Sequence, residues 1–114
     1  MKFAFSTNAF TRFTLPEAIQ AIGQAGYEGV EILADEPHAY PLRMDAGLIR
    51  STVDALAKAK LAVSNVNCNC TFGYWKDAPP EPFFEPSLIS PIEKYRRDRI
   101  EMIKTSIRFA REIG

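Results

Sequence analysis

The pattern of polar and apolar positions switches between strand and helix period three times along the chain. Over Lys2–Phe10, Phe3 and Phe5 alternate with Ala4 and Ser6, and the polar run Ser6-Thr7-Asn8 closes the segment, which reads as a strand. Next comes "TLPEAIQAIGQAGYEG". Thr14 suits an N-cap, Pro16 suits the first turn, and Glu17 lies three residues after Thr14, so the segment opens on a capping box. Leu15, Ala18, Ile19, Ile22 and Ala25 then recur at helical spacing, and Gly26 stands where a left-handed C′ residue is wanted. "GVEILAD" forms a second strand with Val30, Ile32 and Leu33 apolar. A loop broken by Pro37 and Pro41 leads to a helix capped by Asp45, with Leu48, Ile49, Thr52, Val53, Leu56 and Ala57 on its inner face. "LAVSNVNCNC" is the third strand. A loop of about twenty residues follows. It reads "TFGYWKDAPPEPFFEPSLIS" and has four prolines and five aromatics. Ser90, Pro91 and Glu93 repeat the cap–Pro–Glu device. The pattern then predicts a helix to Ile113, with Ile92, Tyr95, Ile100, Ile103, Ile107 and Ala110 inward and Gly114 at C′.

Each strand is followed by a helix. The order β-α-β-α-β-α predicts an α/β fold with a parallel sheet and right-handed crossovers. Two architectures meet that description: a doubly wound sheet and a (β/α)8 barrel. A doubly wound nucleotide-binding fold needs a glycine-rich turn after its first strand, where backbone N–H groups approach a phosphate. Here that turn reads "STNAFTRFTLPE" and has no glycine. The pattern therefore leans away from a dinucleotide site.

Composition narrows the function classes. With 114 residues the chain is long enough for one domain and too short for two. Lys plus Arg and Asp plus Glu each number 14, so the formal net charge is zero. No basic stripe marks a nucleic-acid partner, and none marks an anionic membrane surface. The apolar runs fall short of the roughly 20 residues that span a bilayer. "MKFAFSTNAF" lacks the long apolar core and cleavage site of a signal peptide. The two cysteines then fit free thiols in a reducing cytoplasm.

"AGYEGVEILAD" after a capped helix, "PHAYP" in the next loop and "ALAKAKLAVSN" leading into the third strand together resemble the xylose isomerase-like barrel superfamily, in its sugar phosphate isomerase/epimerase group. The resemblance runs over the whole chain. It implies a TIM barrel of about 250 residues, of which residues 1–114 are a single N-terminal partial domain holding the first three units. It implies a divalent metal (Mn, Mg or Zn) whose ligands come largely from strands four to eight, a small sugar or sugar-phosphate substrate, and a piece inactive by itself. One alternative is a non-catalytic α/β module completed by a partner or a second copy, because three parallel strands leave open edges. Another is a phosphoesterase like endonuclease IV, but the segment lacks the His-rich metal cluster and basic contacts that such an enzyme needs.

In such a barrel the loops after the strands form the catalytic face. By resemblance, Asn8, Phe10 and His38 would stand at its rim. Asn65 and Asn67 carry paired donors and acceptors suited to sugar hydroxyls, or they cap the strand-to-loop turn. Glu31 either points into the barrel or is solvated, and Asp35 is placed to cap its loop. Phe72, Tyr74, Trp75, Phe83 and Phe84 would form a lid whose rings pack on sugar C–H faces, or else cover the core. Cys68 and Cys70 are too few for a zinc site. As a redox pair they lack a basic residue nearby in sequence. If the strand stays regular, Asn67 and Asn69 face opposite to the cysteines, and which set faces inward is open. The "KYRRDR" run reads as a solvated face, with a weak Glu93–Arg97 pair.

Overall fold

The computed structural model describes residues 1–75 and 85–114. Its architecture is the expected α/β arrangement. Strands β1 (Ala4–Ser6), β2 (Gly29–Leu33) and β3 (Ala62–Asn67) form one open parallel sheet in the order β1-β2-β3. Helix α1 (Leu15–Gln24) joins β1 to β2, and α2 (Ala46–Ala59) joins β2 to β3. After β3 comes a single-turn helix, α3 (Thr71–Tyr74), and then α4 (Glu93–Ile113).

The local signals act as their chemistry dictates. The Thr14 hydroxyl accepts from the Glu17 N–H, and the Glu17 carboxylate accepts from the Thr14 N–H at 2.8 Å. This reciprocal cap satisfies two donors that the helix leaves unpaired. Gly26 ends the helix at φ +87°, a conformation that costs glycine little. The Asp45 carboxylate accepts from the Leu48 N–H at 2.8 Å and starts α2. The first strand is shorter than the Lys2–Phe10 expectation, because Thr7–Phe10 curls into a 3-10 turn. Thr7 is fully buried there, and its hydroxyl accepts from the Leu33 N–H at 2.9 Å, stitching β1 to β2.

One face of the sheet packs under α1, α2 and α4. Ile19, Ile22, Val30, Ile32, Leu56, Phe109 and Ile113 form its core. Helix α4 sits rotated from the expected orientation, and α2 departs from it only in part. On α2, Leu48, Ile49, Thr52 and Leu56 face inward as expected, while Val53 and Ala57 are exposed and Ala55 and Ala59 pack against the core instead. On α4 the buried side chains are Met102, Ser106, Phe109 and Ile113, while Ile92, Ile100 and Ile107 are exposed. Helix α4 thus carries two apolar stripes. Phe109 packs into the sheet core and Met102 packs with Tyr40 and Cys70, while Ile100 and Ile107 face solvent. Ser90 does not cap the helix as expected. Its hydroxyl accepts from the Ile92 N–H at 3.1 Å, and Ile92 takes the N-cap position.

Candidate functional site

Strand alternation sends Val30 and Ile32 into the core, and Gly29, Glu31 and Leu33 to the opposite face. Register then fixes what joins them. Gly29 pairs with Ala4 and Ala62, and Glu31 pairs with Ser6 and Asn65. None of the three long helices covers this face. Its first row is small, since a Cβ at Gly29 would come within 3.1 Å of the Ala4 Cβ. Its second row is polar and connected across all three strands. The Ser6 hydroxyl donates to one Glu31 carboxylate oxygen at 2.6 Å, and the Asn65 amide donates to the other at 2.7 Å. Hydrogen bonds from Ser6, then Asn65, outweigh the opposing effect of burial and hold the Glu31 carboxyl below its ordinary range, with Asn67 adding in the same sense.

The register also settles which set of β3 side chains faces away from the helices. A shift between Val30 and Glu31 leaves Ser64 without a partner, so Asn65 lies opposite Glu31 and Asn67 opposite Leu33. Such a bulge re-aims every side chain beyond it. The asparagines join the polar face. Cys68 and Cys70 turn toward α4, where Cys70 is fully buried and the Ser106 hydroxyl donates to the Cys68 sulfur at 3.2 Å.

The loops after β2 and β3 are clipped together by Asp35. It is fully buried at the end of β2. One carboxylate oxygen accepts from the Glu36 and Gly73 N–H groups at 2.8 and 2.6 Å, and the other accepts from the Phe72 N–H at 3.0 Å. Tyr40 lies against Gly73 so closely that a Cβ there would fall 2.3 Å from the ring. Burial first, with the nearby Cys70 and Asp35 adding to it, pushes the Tyr40 hydroxyl up to about 12, so it stays protonated across the physiological range.

The expected site residues divide between these regions. Asn65 and Asn67 join Glu31 on the polar face. Asn8 is exposed in the turn after β1, and its N–H donates to the Ser6 hydroxyl at 3.2 Å, which places it next to that face. Phe10 packs on the core side instead, edge-on to Phe5 and Phe13. His38 is buried, and its Nε2 lies 3.2 Å from the Phe13 carbonyl. Burial lowers its pKa, and the neutral ring donates from Nε2 into the core-side loop. Trp75 sits against α4. Its ring meets Tyr74 and Tyr95 edge-on, and its Nε1 donates to the Glu85 carbonyl at 2.9 Å. Of the lid aromatics, Phe72 is exposed, Tyr74 is tied to Asp98 at 2.6 Å, and Phe83 and Phe84 lie outside the described residues.

Sequence reasoning missed Ser6 and Arg99. Ser6 reads as the end of a strand until the register puts it beside Glu31, 25 positions away. Arg99 belongs to a run read as solvated, yet its guanidinium donates to the Asn69 and Cys68 carbonyls at 2.7 and 2.9 Å. The Glu93–Arg97 pair is as slight as expected, at 3.6 Å between two exposed side chains.

Among the described residues no group of three or more His, Cys, Asp or Glu side chains is placed to hold a metal ion. Glu31 is one carboxylate with both oxygens engaged. These residues therefore do not make a divalent-metal site by themselves. Among the same residues, no helix is long and apolar enough to cross a membrane.

No family model and no solved structure matches the chain. Fructoselysine 3-epimerase of Shigella flexneri is similar to it, 27% identical over 115 residues that take in all of this chain and 37% of that protein. The chain thus spans little more than a third of the length of the curated relative it matches. What the comparison supports is a distant likeness between these three βα units and one segment of a sugar epimerase.

Proposed function

We propose that this chain supplies the first three βα units of a barrel-shaped sugar or sugar-phosphate isomerase or epimerase, and that its polar sheet face is part of the substrate-lining wall. The observation that carries this reading is the Ser6–Glu31–Asn65 ladder, which crosses all three parallel strands on the face the long helices leave open. A doubly wound sheet has helices on both faces, and its strands are apolar on both. A barrel closes one face inward, and the C-terminal end of that interior is where catalytic residues gather. Small residues at Ala4, Gly29 and Ala62, with polar ones above them, suit the second case. The similarity to fructoselysine 3-epimerase agrees with it.

In this reading the ladder binds rather than transfers protons. A carboxylate held below its ordinary pKa is a weak general base, and Glu31 is such a group. It is suited to accept a hydrogen bond from a sugar hydroxyl, with the Asn65 and Asn67 amides offering both donors and acceptors. Proton transfer, and a divalent metal if one takes part, belongs to the barrel units that these residues do not include. The exposed isoleucines on α4 and the open edge of β3 fit a next unit packed there. Assay of the 114-residue chain with aldoses, ketoses and fructoselysine, with Mn2+ or Mg2+ added, is expected to show no interconversion. Turnover would overturn the assignment of the chemistry to other units.

The same open edges favour a second reading, a non-catalytic module that completes its sheet with a second copy. Sedimentation separates the two: concentration-dependent dimerisation that is unchanged by sugar supports the module, and a monomer counts against it.

A further inference from the structure

The C-x-C segment was set aside as a redox pair because no basic residue adjoins it in sequence, and the fold supplies one from 31 positions away. The Cys68 and Cys70 sulfurs are 3.2 Å apart. Cys68 is half-buried and Cys70 fully buried. Arg99 from α4 donates to the Cys68 carbonyl, and its charge favours a thiolate beside it. The Ser106 hydroxyl donates to the Cys68 sulfur. Cys70 has no such support: its sulfur lies 3.2 Å from the Ala34 carbonyl, buried with Tyr40 and Met102.

We propose that Cys68 and Cys70 form a peroxide-oxidisable dithiol, in which Cys68 is the attacking sulfur and Cys70 resolves it into an intramolecular disulfide. The asymmetry of the pair assigns the order. The hydrogen bond from Cys70, aided by Ser106 and Arg99, lowers the pKa of the Cys68 thiol, although burial opposes this. The same contact with Cys68, together with burial, pushes Cys70 up. The sulfur whose thiolate is favoured is also the more accessible of the two.

The chemistry balances with a hydroperoxide as the two-electron oxidant. The Cys68 thiolate attacks one peroxide oxygen, the O–O bond breaks, and the leaving hydroxide or alkoxide takes up a proton from solvent. Cys68 is then a sulfenic acid. The Cys70 sulfur attacks the Cys68 sulfur, the S–O bond breaks, and hydroxide leaves with the Cys70 proton as water. The sulfurs must close from 3.2 Å to about 2.05 Å. This inference is independent of the sugar-binding reading and stands or falls by itself.

The test treats the reduced chain with a small excess of hydrogen peroxide and follows intact mass and thiol titre. A monomer lighter by two hydrogens is expected, with both thiols lost and both restored by dithiothreitol. Retained thiols, covalent dimers as the main product, or oxygen added separately at each sulfur would overturn the proposal. Cys70→Ser is expected to leave a sulfenic acid at Cys68 that dimedone traps. Should that variant fail to fold, substoichiometric iodoacetamide on the wild-type chain reads the same order. Cys68 is expected to label about tenfold or more faster than Cys70 at neutral pH, and equal labelling contradicts the assigned roles. The charged and titratable groups around the pair are Arg99 from α4, Asp35 from the end of β2 and Tyr40 from the loop after it. Arg99→Gln is expected to move the midpoint of Cys68 alkylation to higher pH, while an unchanged profile would remove arginine from the account.

Discussion

The two faces of one three-stranded sheet divide the work of this molecule. On the helix-covered face, Val30 and Ile32 are fully buried and packed among Ile19, Ile22, Leu56 and Phe109. On the other, Ser6, Glu31, Asn65 and Asn67 are half-exposed or exposed and polar, and the first three are hydrogen-bonded to each other. The first face holds its residues by the loss of apolar surface from water, which is large and indifferent to direction. The second holds them by a few directed hydrogen bonds, each worth about 1 kcal/mol net. One face supplies stability, and the other has donors and acceptors to offer a ligand.

Substitutions sharpen that contrast. Ile32→Ala is expected to cost the most, about 2–5 kcal/mol by urea unfolding, because Ile32 has no exposed surface. A loss below about 1 kcal/mol would mean that the covered face is not the core. Asp35→Ala comes next. It leaves the Phe72 and Gly73 N–H groups without their acceptor and should lower stability by about 2–3 kcal/mol. Gly73→Ala attacks the same clip from the other side, since the new Cβ meets the Tyr40 ring. It should lower stability by about 1–3 kcal/mol. Asn65→Ala and Glu31→Gln should cost no more than about 1 kcal/mol each while weakening sugar binding, the reverse of the Ile32 profile.

The smallest effect is electrostatic. Glu31 has a lowered pKa in the fold. Its contribution is therefore present above the unfolded value of about 4.3 and is lost as pH falls through the lower folded value. Screening at this half-exposed site keeps it below about 1 kcal/mol. Stability curves of wild type and Glu31→Gln should converge in acid and separate toward neutral pH. Parallel curves would show that the ladder does not stabilise the carboxylate.

What was legible in the sequence was what the chain decides locally. The Thr14–Glu17 box, the Asp45 cap and the Gly26 terminus each involve residues within a few positions, and all three stand as read. The parallel α/β order followed from alternating periods. What was not legible depended on contacts distant in sequence. The unpaired Ser64 that turns the asparagines to the polar face is a property of the β2–β3 register, and nothing in "VSNVN" announces it. Which of two apolar stripes on α4 turns inward depends on partners far away in sequence, the sheet core for Phe109 and Tyr40 with Cys70 for Met102. Arg99 looked solvated because its partners, the carbonyls of residues 68 and 69, lie 30 positions or more upstream. His38 was expected at an open rim and is buried against the Phe13 carbonyl. Trp75 was expected over the pocket, and it packs on α4 through Tyr95.

A groove of about 590 Å3 between α1 and α2, lined by Gln20, Gln24, Asp54 and Lys58, gives the sugar-binding claim a competitor within the same chain. Residue-resolved NMR of the isotopically labelled chain, titrated with fructoselysine and with a ketose phosphate, compares the two directly. The account predicts saturable shifts in the Asn65 and Asn67 side-chain amides and the Ser6 and Glu31 backbone, abolished by Asn65→Ala and absent from α1 and α2. Shifts confined to the α1–α2 groove, or no saturable shift on the polar face at all, would contradict it.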